Sequence, residues 1–355
     1  MMSSAVEANL WAVVLAGGIG SRFWPVSTPS RPKQLLPLAG DEPLIRQTVE
    51  RIGPLVPADR IRILTGAGLV DPIRGAVPAL EASNLWLEPR ARGTAPVLAW
   101  AAHRISRLDP SACMVSLHAD HVIEPADVFL GQLEAVAAAS VRHGRLFTIG
   151  AVPDRPETGY GYIRPGARLE EGAGLFAVDR FVEKPDHETA GTYVRDGYLW
   201  NTGIFVWPAG LLLDELTRHT PEIASRLALL DEDRVPEFFD RVPMLSIDEG
   251  LLERSPRVAV AEAAFSWDDV GAWDAVARTR TPDAAGNVGM GDVHLVESAG
   301  CIAWADAGTV VLYGTRDLVV VRTGDITFVA PRDRAPELKT LLAQLPSRLS
   351  RPEAQ

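Results

Sequence analysis

A chain of 355 residues can form one large domain and a smaller one around a sizeable core. Its 46 acidic residues against 35 basic ones leave a formal charge of -11, which excludes a nucleic-acid surface, because backbone phosphates are held by a basic field. A nucleotide-sized anion needs only local cations.

Residues 11–15 form a short apolar run of the kind that makes a buried parallel strand. A glycine-rich turn follows at Gly17, Gly18 and Gly20, where positive φ is permitted and backbone N–H groups can approach a ligand. Arg22 and Lys33 add fixed positive charge, and a polyphosphate is the ligand that suits such a cradle. Phe23 stands where a dinucleotide fingerprint needs its third glycine, and the Gly-Lys-Ser/Thr of a P-loop is absent, so neither of those loops is present. The polar residues 1–9 predict no signal peptide, and the apolar run after them is broken by glycines too early to span a bilayer.

Asp41 is placed to cap a helix running to about residue 52, with Leu44, Ile45, Thr48, Val49 and Ile52 on one face. Strands over 61–64 and 85–87 with a helix between them continue a βαβαβ rhythm, which predicts a mostly parallel sheet with helices on both faces. A largely apolar helix spans 95–108. The buried strand 113–117 ends in His118-Ala119-Asp120-His121, and active groups gather at the carboxyl ends of such strands. An amphipathic helix over 127–143 and a strand over 146–152 come next. The loop 155–162, rich in turn formers and tyrosine, suits either sugar contact or a hairpin. Strands over 178–182 and 199–207 carry Glu183-Lys184-Pro185 and Asn201-Thr202-Gly203, helices dominate 208–252, and a strand over 257–263 leads into residues 266–271, SWDDVG.

Residues 281–291 are rich in glycine, proline and aspartate and read as a linker, dividing a catalytic domain, 1–282, from a C-terminal module, 283–355. Short β-rich runs at 293–296, 301–304, 309–313, 318–321 and 326–329 predict a small all-β module, either a β-helix fragment or a prism-like sheet. A last helix starts near Pro336, with Leu338, Leu341, Leu342 and Leu345 on one face, and this tail is expected to pack and to oligomerise, as a homodimer. Cys113 and Cys301 lie in apolar surroundings and read as buried free thiols of a reducing cytoplasm.

Taken whole, residues 15–38 (LAGGIGSRFWPVSTPSRPKQLLPL) resemble the nucleotidylyltransferase signature of sugar-nucleotide synthesis. In detail the stretch is similar to the guanylyl branch, the mannose-1-phosphate guanylyltransferases. These carry Leu-Ala-Gly-Gly, Phe/Leu-Trp-Pro and Pro-Lys-Gln where uridylyl and thymidylyl enzymes carry Ala-Ala-Gly and Lys-Pro. Ala119-Asp120-His121, Glu183-Lys184-Pro185 and Trp267-x-Asp269-x-Gly271 match further motifs in the right order. The chain stops where bifunctional members continue into an isomerase domain, so the resemblance implies a monofunctional enzyme. It implies an α/β fold, a Rossmann-like mixed, mostly parallel sheet flanked by helices, with a small C-terminal β-helix-like module. The implied reaction is GTP plus α-D-mannose 1-phosphate to GDP-mannose and diphosphate, with Mg2+.

Bringing two phosphate-bearing anions together creates repulsion that cations must offset. The sugar phosphate is itself an ionised nucleophile, so the chemistry calls for in-line geometry at the α-phosphate rather than for a serine, cysteine or histidine nucleophile. Mg2+ prefers one or two carboxylates plus phosphate oxygens and water, and Asp120 and Asp269 are the two candidates. Asp268 is either a supporting group or merely solvated. Arg22 is expected on the triphosphate, Lys33 on the α-phosphate and leaving diphosphate, and Lys184 on the sugar phosphate. The resemblance further assigns Leu15, Ala16, Gly17, Gly18, Gly20, Ser21, Glu88 and Thr94 to the nucleotide, and Gly159, Glu183 and Asn201 to the hexose. Two positions depart from the pattern: Gly93 replaces the asparagine of Arg-Asn-Thr-Ala-Pro, and His118, read as structural, stands where proline is common. The rival readings are a guanylyltransferase for another manno-configured sugar 1-phosphate, such as a heptose, and a catalytically silent GDP-mannose-binding subunit. Retention of Arg22, Lys33, Asp120, Lys184 and Asp269 speaks against silence.

Overall fold

Alternation along the first apolar run decides the centre of the molecule. Trp11 and Val13 enter one hydrophobic core and Ala12 and Val14 another, so this strand is covered on both faces. The structure is a computed structural model describing residues 9–18 and 20–350; residues 1–8 of the polar opening segment lie outside them. The strands before the C-terminal module are β1 (Leu10–Leu15), β2 (Ile61–Thr65), β3 (Leu85–Leu87), β4 (Cys113–His118), β5 (Val122–Glu124), β6 (Leu146–Ala151), β7 (Tyr162–Glu170), β8 (Leu175–Val182), β9 (Leu199–Pro208), β10 (Val258–Glu262) and β11 (Ser266–Asp268). The main sheet has the order β3-β2-β1-β4-β9-β6-β10-β8-β7, and β5 pairs with β11 apart from it. All of its strands run one way except β8 and β9. The sheet is therefore mixed and mostly parallel, with helices on its faces.

The helices include α1 (Leu44–Ile52), α2 (Val70–Ala76), α3 (Thr94–Leu108), α4 (Ala126–His143), α5 (His187–Arg195) and α6 (Ala209–His219), with shorter ones between α6 and β10 and after β11. The face expected of α1 is its buried face. Asp41 does not cap it: the helix opens after Pro43, with no side-chain cap, and Asp41 stands exposed. None of the described helices is long and apolar enough to cross a membrane.

The tyrosine-rich loop leads into a hairpin. In that hairpin β7 pairs with β8 and with β9, Tyr162 lying opposite Trp200, while β8 also pairs with β10, Phe176 opposite Val260. The hairpin thus bends over the sheet and brings both of its ends to the edge where β4 delivers Asp120. The C-terminal strands β12 (Val288–Val296), β13 (Ile302–Tyr313) and β14 (Leu318–Arg322) stack in parallel, and β15 (Thr327–Pro331) closes them antiparallel. The runs expected at 301–304 and 309–313 are a single strand, β13. This module shares a core with the glycine stretch: Ile302, Trp304, Val319 and Phe328 pack with Phe23, Trp24 and Trp273, and Leu338 closes the cluster. Each such fully buried side chain contributes on the order of 2 kcal/mol. Cys113 and Cys301 are buried free thiols.

Candidate active site

The stretch after β1 is shaped by one contact. Gly20 has φ of 70°, and a Cβ there would lie 2.3 Å from Cβ of Lys33, so only glycine admits the lysine. Gly17 and Gly18, expected to share this conformation, do not take positive φ. Lys33 begins a 3-10 turn and is buried. Its Nζ lies 2.8 Å from Oδ2 of Asp120 and donates to the backbone carbonyl of Asp269. Gln34 Nε2 donates to the carbonyl of Ala16 (3.0 Å) and so pins the start of the loop.

Three cavities meet at this edge. The first, about 270 Å³, is lined by Leu15, Ala16, Gly17, Gly18, Glu88 and Thr94 together with Asp120. The second, about 200 Å³, is lined by Gly159, Glu183, Lys184 and Asn201 together with Tyr160, Asp248 and Asp269. Thr94 and His118 face both. Arg22 faces a third cavity, about 220 Å³, that shares Asp269 with the second. Gly20, Ser21 and Lys33 line none of the three; Lys33 lies packed between the two aspartates.

Burial works against the Asp120 carboxylate, but the Lys33 ammonium and the imidazoles of His121 and His118 outweigh it and hold its pKa down to about 2. Asp269 is pushed up by burial, which Lys33 and the donated Tyr160 hydroxyl only partly offset. Burial likewise raises Glu88. Asp268 is a supporting group: it accepts from the Val270 amide (2.7 Å) and from Arg278 Nε (2.7 Å), which fixes the turn bearing Asp269. Lys184 and Val270, with φ of 46° and 47°, hold strained left-handed backbone beside the site. Lys184 Nζ pairs with Glu183.

His118, Asp120 and His121 present ligand atoms within 4.8 Å of one another. The two imidazoles nevertheless stack face to face, 4.7 Å between centroids, and their lone pairs lie in the ring planes. His121 Nδ1 accepts from Trp267 Nε1 (3.1 Å), which puts the His121 proton on Nε2. His121 therefore has no lone pair free for a cation.

Residues 11–285 match the family described as nucleotidyl transferase, and residues 291–345 match the MannoseP isomerase/GMP-like beta-helix domain. The chain belongs to the nucleotidyl transferase family. It is 36% identical to the mannose-1-phosphate guanylyltransferase of Escherichia coli (strain K12) across 96% of its own length and 74% of that protein. It is 37% identical to the corresponding protein of Salmonella typhimurium over the same shares, 96% and 74%. The crystal structure of a mannose-1-phosphate geranyltransferase from Thermus thermophilus superposes with a TM-score of 0.87 at 34% identity, covering 95% of this chain and 99% of that one.

Gln34, Tyr160 and Asp248 are among the residues of this nucleotidyl transferase's cavities that sequence reasoning does not single out. Gln34 lay inside a quoted motif, and Tyr160 lay in the tyrosine-rich loop, where the phenol's reach to Asp269 depends on the hairpin. Asp248 stands in no motif and arrives by tertiary packing. Gly93 also finds its reason here: with φ of 83° and ψ of 178° it occupies a region open essentially to glycine alone, and a Cβ would lie 2.4 Å from the Leu245 carbonyl oxygen.

Proposed function

We propose that the chain converts GTP and α-D-mannose 1-phosphate to GDP-mannose and diphosphate. The observation that carries this reading is the position of Lys33, whose one ammonium joins Asp120 of the first cavity to Asp269 of the second. Two chambers for two anions, each with its own aspartate, then meet at one cation. The names of the relatives support the choice of substrates.

In this reading the first cavity takes the nucleoside. The half-buried Glu88 carboxylate suits the N–H donors on guanine's Watson–Crick edge, and the loop that follows Leu15 covers the phosphates. Arg22 faces the β- and γ-phosphates. Lys184 holds the sugar phosphate, and Glu183, Asn201 and the backbone at Gly159 meet the hexose hydroxyls. A phosphate oxygen of the sugar attacks the α-phosphorus in line, the bond to the bridging oxygen breaks, and diphosphate leaves with that electron pair. No base is required, since the nucleophile is already ionised. Lys33 stabilises charge building at the α-phosphate.

Asp120 and Asp269 fit Mg2+, because both offer hard carboxylate oxygens and the charge of each is favoured by the Lys33 ammonium. Bound there, the ion supplies Lewis-acid neutralisation of phosphate charge. We divide the chain into a catalytic domain, residues 1–282, and a C-terminal module, residues 283–355, that braces the glycine stretch. The exposed Val296, Val311 and Tyr313 on neighbouring strands of that module support a homodimer, and the buried free thiols support a cytoplasmic setting. Diphosphate release measured over a panel of nucleoside triphosphates and sugar 1-phosphates tests the reading.

A further inference from the structure

The second cavity contains a carboxylate that no motif announces. Asp248 opens a π-helical turn, Asp248–Leu252, a wide geometry that recurs at functional sites. The turn is pinned from several sides. Ile247 N donates to Thr94 Oγ1 (2.8 Å), Leu245 exchanges backbone bonds with Arg92 (3.0 Å) and Ala95 (3.1 Å), and Thr220 Oγ1 donates to the Gly250 carbonyl (2.6 Å). Asp248 Oδ1 accepts from Asn201 Nδ2 (2.8 Å), while Asn201 Oδ1 accepts from Thr148 Oγ1 (2.8 Å), so the amide has one orientation. Glu183 and Lys184 line the same cavity and are paired with each other, so Asp248 lies beside a second carboxylate, with Asn201 as its side-chain donor and a cation that Glu183 already engages.

A half-buried acid that must share its nearest cation is a poor structural choice, and burial together with Glu183 outweighs Lys184 and pushes its carboxyl up to about 7. Such an acid is useful where the ligand brings donors. A hexose brings several hydroxyls and no cation. We propose that Asp248 is a specificity-determining residue that accepts a hydrogen bond from a ring hydroxyl of the sugar phosphate, forming with Glu183 a two-carboxylate clamp across neighbouring hydroxyls. This rests on reading the second cavity as the sugar site.

The test is calorimetric binding of mannose 1-phosphate and its monodeoxy analogues to the wild-type chain, to Asp248→Asn and to Asp248→Ala, with GTP turnover followed in parallel. One monodeoxy analogue should bind the wild type about tenfold more weakly than the parent sugar. Both variants should bind the parent about tenfold more weakly while binding that analogue as the wild type does, so the discrimination disappears and the KM for GTP is unchanged. Asp248→Asn is nearly isosteric and decides the matter alone if the alanine variant does not fold. Unchanged discrimination in a folded variant, or equal weakening of every sugar, overturns the proposal, the latter by showing that Asp248 only positions Asn201. If the wild type binds these sugars yet releases no diphosphate, the proposed reaction fails while the binding comparison still decides Asp248. Binding of no hexose 1-phosphate overturns the sugar-site reading and the clamp with it.

Discussion

The Lys33 ammonium lies 2.8 Å from the Asp120 carboxylate, and the same nitrogen donates to the backbone carbonyl of Asp269, not to its side chain. One buried cation therefore fixes the glycine stretch, the end of β4 and the turn after β11 relative to each other before any substrate binds. Preorganised charge of this kind is worth more in a water-poor site than in solvent.

Because Lys33 grips Asp269 through its backbone, Asp269→Asn should keep the turn in place. Its melting temperature should stay near the wild-type value while Mg2+-dependent turnover falls by at least about a hundredfold. Thermal unfolding and a magnesium titration of kcat check this, and near-normal turnover removes Asp269 from the metal site.

Lys184 lines only the second cavity among the three and already sits against Glu183. Lys184→Ala should raise the KM for mannose 1-phosphate by about tenfold or more and leave the KM for GTP within about twofold. Steady-state kinetics with each substrate varied in turn gives the answer, and the reverse pattern moves Lys184 to the triphosphate.

Gly93→Asn restores the residue common in the family yet forces a side chain into a backbone region that only glycine occupies and against the Leu245 carbonyl. The cost should be about 1–3 kcal/mol, seen as a lowered denaturation midpoint. An unchanged midpoint means that the loop can rearrange away from Leu245.

Asp248 supplies a pH prediction. Its carboxyl is raised from 3.8 to about 7 by burial and by Glu183. Between those values the unfolded chain has released a proton that the folded chain keeps, so stability falls as pH rises through this window. Asp248→Asn removes this titrating group. Its melting temperature should exceed that of the wild type by about 2 °C or more at pH 8, with the gap closing as pH drops towards 4. A gap independent of pH contradicts the burial of this acid.

What was legible in the sequence was what is local. The glycine stretch, Asp120, the Glu183-Lys184 pair and Asp269 each sit in a short segment whose residue types state their chemistry, and the apolar runs fall on β1, β2, β4 and β9. The first half of the hairpin was missed because β7 carries Arg164, Pro165, Gly166 and Arg168 rather than an apolar run, its pairing being set by β8 and β9. The exposed residues at 306–309 read as a break, and the register with β12 does shift there, from Gly291 opposite Ala305 to Val293 opposite Val310, although β13 continues as one strand. Asp41 looked like a cap until Pro43, with its fixed φ, began the helix two residues later. Asp248 carried no signal at all, since its meaning depends on Asn201 and Thr94, distant in sequence.

The most direct test of the proposed reaction is diphosphate release by the purified chain with Mg2+, over the four nucleoside triphosphates crossed with mannose-, glucose- and heptose 1-phosphates. GTP with mannose 1-phosphate should give the highest kcat/KM of the panel. A higher value for UTP or dTTP contradicts the guanylyl assignment, and a higher value for a heptose 1-phosphate with GTP moves the enzyme to that sugar.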